Sequence, residues 1–213
     1  MYFEVHDGKS HLDASLTHSP WLALVAPRPI GWISTLSADG IPNLAPFSFF
    51  NGISGAPPMV MFCANGSHAE GGRKDSFVNA RDTGEFVHNM VTWDLRYKMN
   101  ETSATAPRSV DEFELAGLTK APSRRVKPYR VLESPVSLEC RVVKHFELPA
   151  DDPGDTNTMV IGRVVAIHIR DDAIRDGRVD LARLRPLSRL GYLDYSPIGE
   201  MFEMLRPKGP TAR

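Results

Sequence analysis

The segment from Pro27 to Asn51 constrains the fold of this chain more than any other. It reads PRPIGWISTLSADGIPNLAPFSFFN, and its residues alternate in character from Ile30 to Leu36 with many β-formers. The next residues, Ala38-Asp39-Gly40, are typical of a turn, because glycine readily adopts the positive φ that such turns often need. The pattern predicts a strand, a tight turn and a second strand that leads into an aromatic segment.

That aromatic segment, Phe47 to Asn51, places three aromatic rings around one serine hydroxyl and ends on an amide. The residues alone leave two interpretations open. Aromatic runs are common in strands, which favours a core hairpin closed by an aromatic plug. Alternatively, the rings, the hydroxyl, the amide and the backbone N–H groups form a wall for a flat heteroaromatic ring.

A second segment, Asn65 to Ser76, is rich in glycine and carries hydroxyl and basic side chains. It leads into a short predicted helix at 76–81, whose first turn offers unpaired N–H groups and partial positive charge. The side chains that could bind an anion there are those of Ser67, Arg73, Lys74 and Ser76. GxxxxGK[ST] and GxGxxG are both absent. This segment is consistent with two interpretations: a phosphate-binding loop, or a flexible loop in which Asp75 is the helix N-cap.

The rest of the chain favours antiparallel strands over alternating strands and helices. Further strands are predicted at 59–64, 84–91, 134–147 and 158–169. The last two form a hairpin, in which Gly162 indicates a bulge or a barrel corner. Because regular helices do not separate the strands, we predict a mainly β fold, a β-barrel with helical insertions.

The remaining segments are assigned connecting or covering roles. Residues 52–58 are predicted as a loop, and 92–125 as helical segments that cover the sheet. One domain is expected over 1–213, with an N-terminal arm at 1–20 and a frayed tail at 206–213.

Composition and charge exclude several function classes. Of the 213 residues, 42% are hydrophobic and 24% are charged, as in soluble globular proteins. The net charge of −1 offers no electrostatic basis for binding nucleic acid or an acidic membrane. The N-terminus lacks a signal-peptide pattern, and no window holds the roughly 18 apolar residues of a membrane helix. A cytoplasmic location is therefore expected.

No side chain stands out as a catalytic acid, base, nucleophile or metal ligand. There is no GxSxG elbow, and Cys63 and Cys140 have no CxxC partner or His/Cys neighbours that would bind zinc. Two buried thiols are favoured for these cysteines, although the sequence leaves a disulfide open. If the protein is an enzyme, we expect a cofactor to carry the chemistry. A cofactor with a flat ring joined through a polyol to one phosphate, such as FMN, could bind to both segments, with its ring at 47–51 and its phosphate at 65–76.

Several motifs together resemble the flavin reductase-like family of FMN-binding split barrels. The resemblance covers most of the chain from about residue 20. It is carried by PRPIGWIST at 27–35, DGIPNLAPFSFFN at 39–51, Arg73-Lys74-Asp75-Ser76, EFVHN at 85–89, Leu190-Gly191-Tyr192 and Tyr195. Many members have threonine where this chain has Ser76, a change that keeps the hydroxyl.

The resemblance implies a six-stranded antiparallel split barrel and a homodimer with FMN near the subunit interface. The flavin ring would lie against the strand of Trp32 and the segment 47–51, with Ser48 at its edge, while Lys74 and Ser76 would bind the phosphate. The cofactor-binding residues expected on this basis are Arg28, Trp32, Ser34, Phe47, Ser48, Phe49, Asn51, Ser67, Arg73, Lys74, Asp75 and Ser76.

The activity implied by the resemblance is that of an NAD(P)H-dependent flavin reductase. Such an enzyme passes hydride to flavin and then electrons to a small-molecule acceptor or an oxygenase component. Two alternatives are a non-catalytic FMN-binding electron carrier, similar to flavoredoxin, and an enzyme similar to pyridoxamine-phosphate oxidase. The sequence does not distinguish NADH from NADPH.

Overall fold

A computed structural model of the protein describes residues 1–152 and 154–207. Part of the predicted frayed tail, residues 208–213, lies outside the described residues. The strands in chain order are β1 (Arg28–Pro29), β2 (Gly31–Leu36), β3 (Pro42–Phe47), β4 (Phe50–Gly55), β5 (Pro58–Asn65), β6 (Glu85–Asn89), β7 (Lys120–Ala121), β8 (Arg130–Val131), β9 (Val136–Leu148), β10 (Asn157–Ile169), β11 (Ile174–Arg175), β12 (Arg178–Val179), β13 (Leu187–Arg189) and β14 (Tyr195–Pro197).

The helices are short. They are α1 (Trp21–Leu24), α2 (Asp75–Thr83), α3 (Arg96–Glu101), α4 (Glu112–Leu115) and α5 (Leu181–Leu184), with 3-10 helices at Ser10–Leu12, Trp93–Leu95 and Asp171–Ala173. Helix α1 and the first 3-10 helix precede β1, and the others lie between strands. Asp111 caps α4, since its carboxylate accepts a 2.9 Å hydrogen bond from the Phe113 N–H. The predicted helical character of 92–125 is confirmed at 93–101 and at Glu112–Leu115, but not at Lys120–Ala121, which forms strand β7.

A seven-stranded sheet forms the centre of the molecule, in the order β3-β2-β6-β9-β10-β5-β4. All of its strand pairs are antiparallel, which confirms the mainly β prediction. The sheet has one strand more than the six expected. The prediction of a loop at 52–58 is wrong, because β4 pairs with β5 as far as Gly55 despite its glycine content.

Two glycines have the roles that the sequence predicts. Gly40 has φ +85° in the turn between β2 and β3. Gly162 lies at a register shift between β9 and β10, which confirms the bulge. A Cβ atom added to Gly162 would come within 2.4 Å of the Phe86 ring, so this position has no room for a side chain.

The core consists of two hydrophobic clusters that share strand β2. Trp32 belongs to one cluster, together with Leu44, Met99 and Phe113. The next residue, Ile33, belongs to the other, which also contains Phe47, Phe62 and Phe86. Successive side chains of a strand point to opposite faces, so β2 is buried on both faces.

Cys63 and Cys140 are buried free thiols, as the sequence favours. Burial raises the pKa of both thiols, so neither is suited to nucleophilic chemistry. Among residues 1–152 and 154–207, no helix has the length and apolar character needed to cross a membrane.

Candidate functional site

A cleft opens between β3, the loop that precedes α2 and the segment that follows α3. Its lining residues are Asn43, Ala45, Pro46, Phe47, Ser67, His68, Ala69, Lys74, Asp75, Ser76, Thr102, Ser103, Ala104, Thr105, Ala106 and Glu112. Five of the predicted site residues are among them: Phe47, Ser67, Lys74, Asp75 and Ser76. The two segments singled out in the sequence thus meet at one site.

Ser76 lies on the first turn of α2, and only 1% of it is exposed. The Nδ2 group of Asn43 donates a 2.8 Å hydrogen bond to the Ser76 hydroxyl oxygen. Because this oxygen already accepts a bond, the hydroxyl proton is free to be donated toward the cleft. The amide of Asn43 is therefore a positioning group that the sequence reasoning missed.

A buried polar network holds Asn43 in place. Its Nδ2 group also lies 3.3 Å from the Thr35 hydroxyl oxygen, which accepts a 3.1 Å hydrogen bond from Asn79. These side chains come from β3, β2 and α2 respectively. Satisfied buried networks of this kind fix side-chain geometry, so the start of α2 is tied directly to the sheet.

Lys74 is the N-cap residue of α2, and Asp75 is its first helical residue. The alternative in which Asp75 is the N-cap is therefore wrong, because the N-cap lies one residue earlier in the chain. Over the described parts of the chain, no carboxylate lies within 4.0 Å of the Lys74 ammonium group. A cation at the start of a helix, together with the N–H groups of its first turn, is suited to an anion.

Asp75 shapes the loop before α2. Its carboxylate forms an ion pair with Arg108 and lies 3.6 Å from the Nε2 atom of His68. The Nδ1 atom of His68 accepts a 3.0 Å hydrogen bond from the Glu70 N–H, which leaves the proton of a neutral ring on Nε2. Arg108 also donates to the Gly71 carbonyl at 2.8 Å. The sequence reasoning missed both His68 and Arg108.

Ser67 and Arg73 already have partners elsewhere. The Ser67 hydroxyl lines the cleft but donates a 2.9 Å hydrogen bond to the Gly154 carbonyl. Its proton is available to a ligand only if that bond breaks. The Arg73 guanidinium forms an ion pair with Glu147 on β9 and is not part of the cleft lining.

Trp32 and Ser34 are fully buried, with 0% exposure. The Trp32 indole donates a 2.9 Å hydrogen bond to the Thr102 hydroxyl. The Ser34 hydroxyl donates a 2.5 Å hydrogen bond to the Tyr129 carbonyl. Both side chains pack inside the protein in this structure, and their contact with a cofactor stays a prediction.

Arg28 is 5% exposed and bonds to the backbone. Its guanidinium donates hydrogen bonds to three backbone carbonyls. These are the carbonyl of Leu22, that of Val25 at 2.5 Å and that of Leu190 at 2.8 Å. Burial, with a smaller contribution from Arg189, lowers the pKa of this guanidinium. In this structure Arg28 joins α1 to the segment after β13 and lies outside the cleft.

Ser48, Phe49 and Asn51 follow Phe47 without entering the cleft lining. Ser48 and Phe49 form the bend between β3 and β4, and the Phe49 carbonyl accepts a 2.8 Å hydrogen bond from the Cys63 N–H. Asn51 is exposed, and its side-chain oxygen accepts from the Gly52 N–H at 2.9 Å. Cofactor contacts at these three residues stay predictions.

The segment Thr102–Ala106 lines the cleft, although the sequence reasoning gave it only a covering role. Its signal is a run of small and hydroxyl-bearing residues, TSATA, directly after a helix. Glu112 lines the same cleft and accepts a 3.0 Å hydrogen bond from the Leu44 N–H. Burial raises the pKa of this carboxyl.

Comparison with known proteins gives concordant matches. A model of the flavin reductase like domain matches residues 24–188. A protein of Aquifex aeolicus is 41% identical over 171 residues, which are 80% of this chain and 84% of that protein.

Two solved structures share the fold. Nitrilotriacetate monooxygenase component B from Bacillus cereus is 29% identical, with a TM-score of 0.84 over 96% of this chain and 98% of the other. A protein from Shewanella frigidimarina, named as a flavin reductase with a split-barrel domain, is 22% identical with a TM-score of 0.79. That match covers 96% of this chain and 100% of the other. These likenesses confirm the predicted split-barrel fold.

Proposed function

Because the chain belongs to the flavin reductase-like family, we propose that it is an FMN-dependent oxidoreductase that takes hydride from NAD(P)H. The observation that supports this most is the cleft itself. It joins the Lys74 ammonium group, which no carboxylate of the described residues approaches within 4.0 Å, and the Ser76 hydroxyl held by Asn43 to the aromatic side chain of Phe47. A phosphate at one end of a flat aromatic cofactor matches that arrangement.

The donor set fits a phosphate monoester. The Lys74 ammonium would form a charge-assisted bond, and Ser76 would donate its free hydroxyl proton. The unpaired N–H groups of the first turn of α2 would add further donors. Ser67 would contribute after releasing the Gly154 carbonyl.

The two carboxyl groups in the cleft do not oppose this fit. Asp75 is neutralised by its ion pair with Arg108. Glu112 has a raised pKa because of burial, and it accepts a bond from the Leu44 N–H. The cationic Lys74 therefore dominates the charge that a ligand phosphate would meet.

The protein residues act by binding and orientation. When bound, FMN supplies the redox chemistry, accepting hydride from NAD(P)H and releasing electrons to an acceptor. Phe47 and the segment Thr102–Ala106 would flank the cofactor and exclude water, while α2 would hold its phosphate end.

The acceptor and the assembly are also proposed. The Bacillus cereus structure is named as a component of a monooxygenase. By analogy, we propose that this protein supplies electrons to an oxygenase component or to a small-molecule acceptor. It would do so as a cytoplasmic homodimer with the cleft near the subunit interface.

The test begins with the visible spectrum of the purified protein. FMN is added, excess is removed, and bleaching of the spectrum is followed with NADH and NADPH in separate anaerobic reactions. We expect bound FMN and bleaching by at least one nucleotide. A protein that fails to bind FMN contradicts the proposal, whereas FMN binding without bleaching identifies an electron carrier. Turnover of pyridoxine phosphate would instead indicate an oxidase of that substrate class.

A further inference from the structure

A second pocket lies where α3 meets β13 and β14, apart from the cleft described above. Met99 and Leu187 are lining residues of this pocket and are almost fully buried, at 2% and 4% exposure. The aromatic side chains that line it are those of Trp93, Tyr97 and Tyr195. Tyr97 is 68% exposed, so one aromatic face is open to a ligand.

Guanidinium groups lie against these rings. The Arg96 guanidinium carbon is 3.9 Å from the Trp93 ring centroid and 4.3 Å from that of Tyr97. The other two arginines in contact with the aromatic side chains are Arg185, 5.3 Å from the Trp93 centroid, and Arg189, 4.5 Å from the Tyr195 centroid. We refer to this group of residues as the aromatic–arginine pocket.

The positive charge of the pocket is not neutralised by the protein. Within residues 1–152 and 154–207, no carboxylate lies within 4.0 Å of the guanidinium groups of Arg96, Arg185 or Arg189. Arg185 ends helix α5 in the left-handed conformation, with φ +47°.

The chemistry of the pocket selects a particular ligand class. Aromatic rings and planar guanidinium groups both stack on a flat ring, and guanidinium also binds phosphate through paired donors. A ligand that joins an aromatic ring to a phosphate satisfies both features. Arg96 donates to the Trp93 carbonyl at 2.6 Å, and Arg189 donates to the Tyr195 hydroxyl and the Tyr192 carbonyl, but these oxygens are neutral. A purely apolar ligand would therefore leave the guanidinium groups without an anionic partner, and a simple anion would make no use of the rings.

The position of the pocket relates it to the cleft. Helix α3 contributes Arg96, Tyr97, Met99 and Asn100 to the pocket, and the residues directly after this helix, Thr102–Ala106, line the cleft. Six helical residues span about 9 Å. The pocket and the cleft are therefore separated by no more than about the length of this short helix along the chain.

We propose that the aromatic–arginine pocket binds the adenosine phosphate end of the nicotinamide dinucleotide, while the nicotinamide end reaches the cleft. The inference rests on the proposed function, because it identifies the binding site of the proposed co-substrate. Tyr97 stacks on the adenine, and Arg96 binds the phosphate groups.

ADP-ribose, which lacks the nicotinamide, is the direct probe. Its binding to the FMN-loaded protein is measured by calorimetry for wild type, Arg96→Gln and Tyr97→Ala. Arg175→Gln, which removes the same charge from a highly exposed side chain, is the matched control. We expect at least tenfold weaker binding in the first two variants and unchanged binding in the control. Higher salt should weaken wild-type binding more than Arg96→Gln binding.

Steady-state kinetics provide a second readout. Arg96→Gln should raise the KM for NAD(P)H at least tenfold and change kcat little, with FMN affinity unchanged. If wild type oxidises NAD(P)H but ADP-ribose binds equally to all variants or to none, the pocket assignment is wrong and the proposed function stands. If ADP-ribose binding depends on Arg96 although NAD(P)H does not bleach the bound flavin, the pocket is supported and the reductase proposal fails. Absence of both ADP-ribose binding and bleaching overturns both.

Discussion

The indole Nε1 of Trp32 donates a 2.9 Å hydrogen bond to the hydroxyl of Thr102, and both residues are buried. Trp32 lies in the centre of the sheet on β2, whereas Thr102 begins the segment that lines the cleft. The bond therefore connects the core to the wall of the candidate site. Trp32 can therefore affect the geometry of the cleft through Thr102.

Trp32→Ala should destabilise the protein by about 3–5 kcal/mol, because it removes a fully buried indole and leaves a cavity. Chemical denaturation of the FMN-free protein measures the free energy of unfolding. Trp21→Ala is the control, since Trp21 is 58% exposed and its loss should change stability by less than about 1 kcal/mol. An FMN-free Trp32→Ala protein of wild-type stability would show that Trp32 is not a core residue.

Lys74→Ala should weaken FMN binding by about 1.5–3 kcal/mol, roughly a tenfold to 150-fold rise in Kd, because a charge-assisted bond to the phosphate is lost. Flavin fluorescence titration measures this change. Lys127→Ala is the control, because Lys127 is exposed and lies outside the cleft; this variant should bind FMN as wild type does. The same titration with riboflavin, which has no phosphate, should not distinguish Lys74→Ala from wild type; a difference there would argue against a phosphate contact.

Ser76→Ala should weaken FMN binding by about 1.5 kcal/mol, while Ser76→Thr should retain most of the affinity because threonine keeps the hydroxyl. Ser76→Ala also removes the acceptor of the Asn43 amide, so a loss of stability of about 1–3 kcal/mol is expected. Titration and denaturation of the same samples separate the two effects. Equal FMN affinity in all three proteins would exclude a hydroxyl contact.

His88 should make stability depend on pH below neutrality. Burial lowers the pKa of this imidazole from 6.5 to about 3, and its ring stacks on Phe50 at a centroid distance of 4.4 Å. Between these pH values the unfolded chain binds a proton that the folded protein does not, so stability falls as pH decreases, by about 1.4 kcal/mol per pH unit. Above pH 6.5 His88 is neutral in both the folded and the unfolded state, so it adds no pH dependence to the free energy of unfolding.

Denaturation of wild type and His88→Gln between pH 4 and 8 tests this dependence. The variant should show a shallower loss of stability on acidification than wild type, even if its stability at pH 8 is lower. His18→Gln, which changes an exposed histidine, should follow the wild-type curve. Parallel curves for wild type and His88→Gln would show that His88 is not buried in the neutral form.

Much of the strand framework is predictable because it is encoded locally. The alternation from Ile30 to Leu36 predicts β2, and the turn at Gly40 has the positive φ expected of it. The long hairpin of β9 and β10 is also local in sequence, including its bulge at Gly162. Strand β4 is not predicted from the sequence, because its glycines are typical of a loop. Its strand conformation depends on pairing with β5.

By itself, the sequence determined the mainly β class and the two segments that meet at the cleft. Only the tertiary structure decided which side chains face it. A period-two pattern cannot show which face of a strand meets a ligand when both faces are buried, as they are in β2, so the sequence alone does not decide between core packing and ligand contact for Trp32. Thr102–Ala106 and Arg108 lie far along the chain from β3, and no local pattern predicts contacts that form only when the chain folds back on itself.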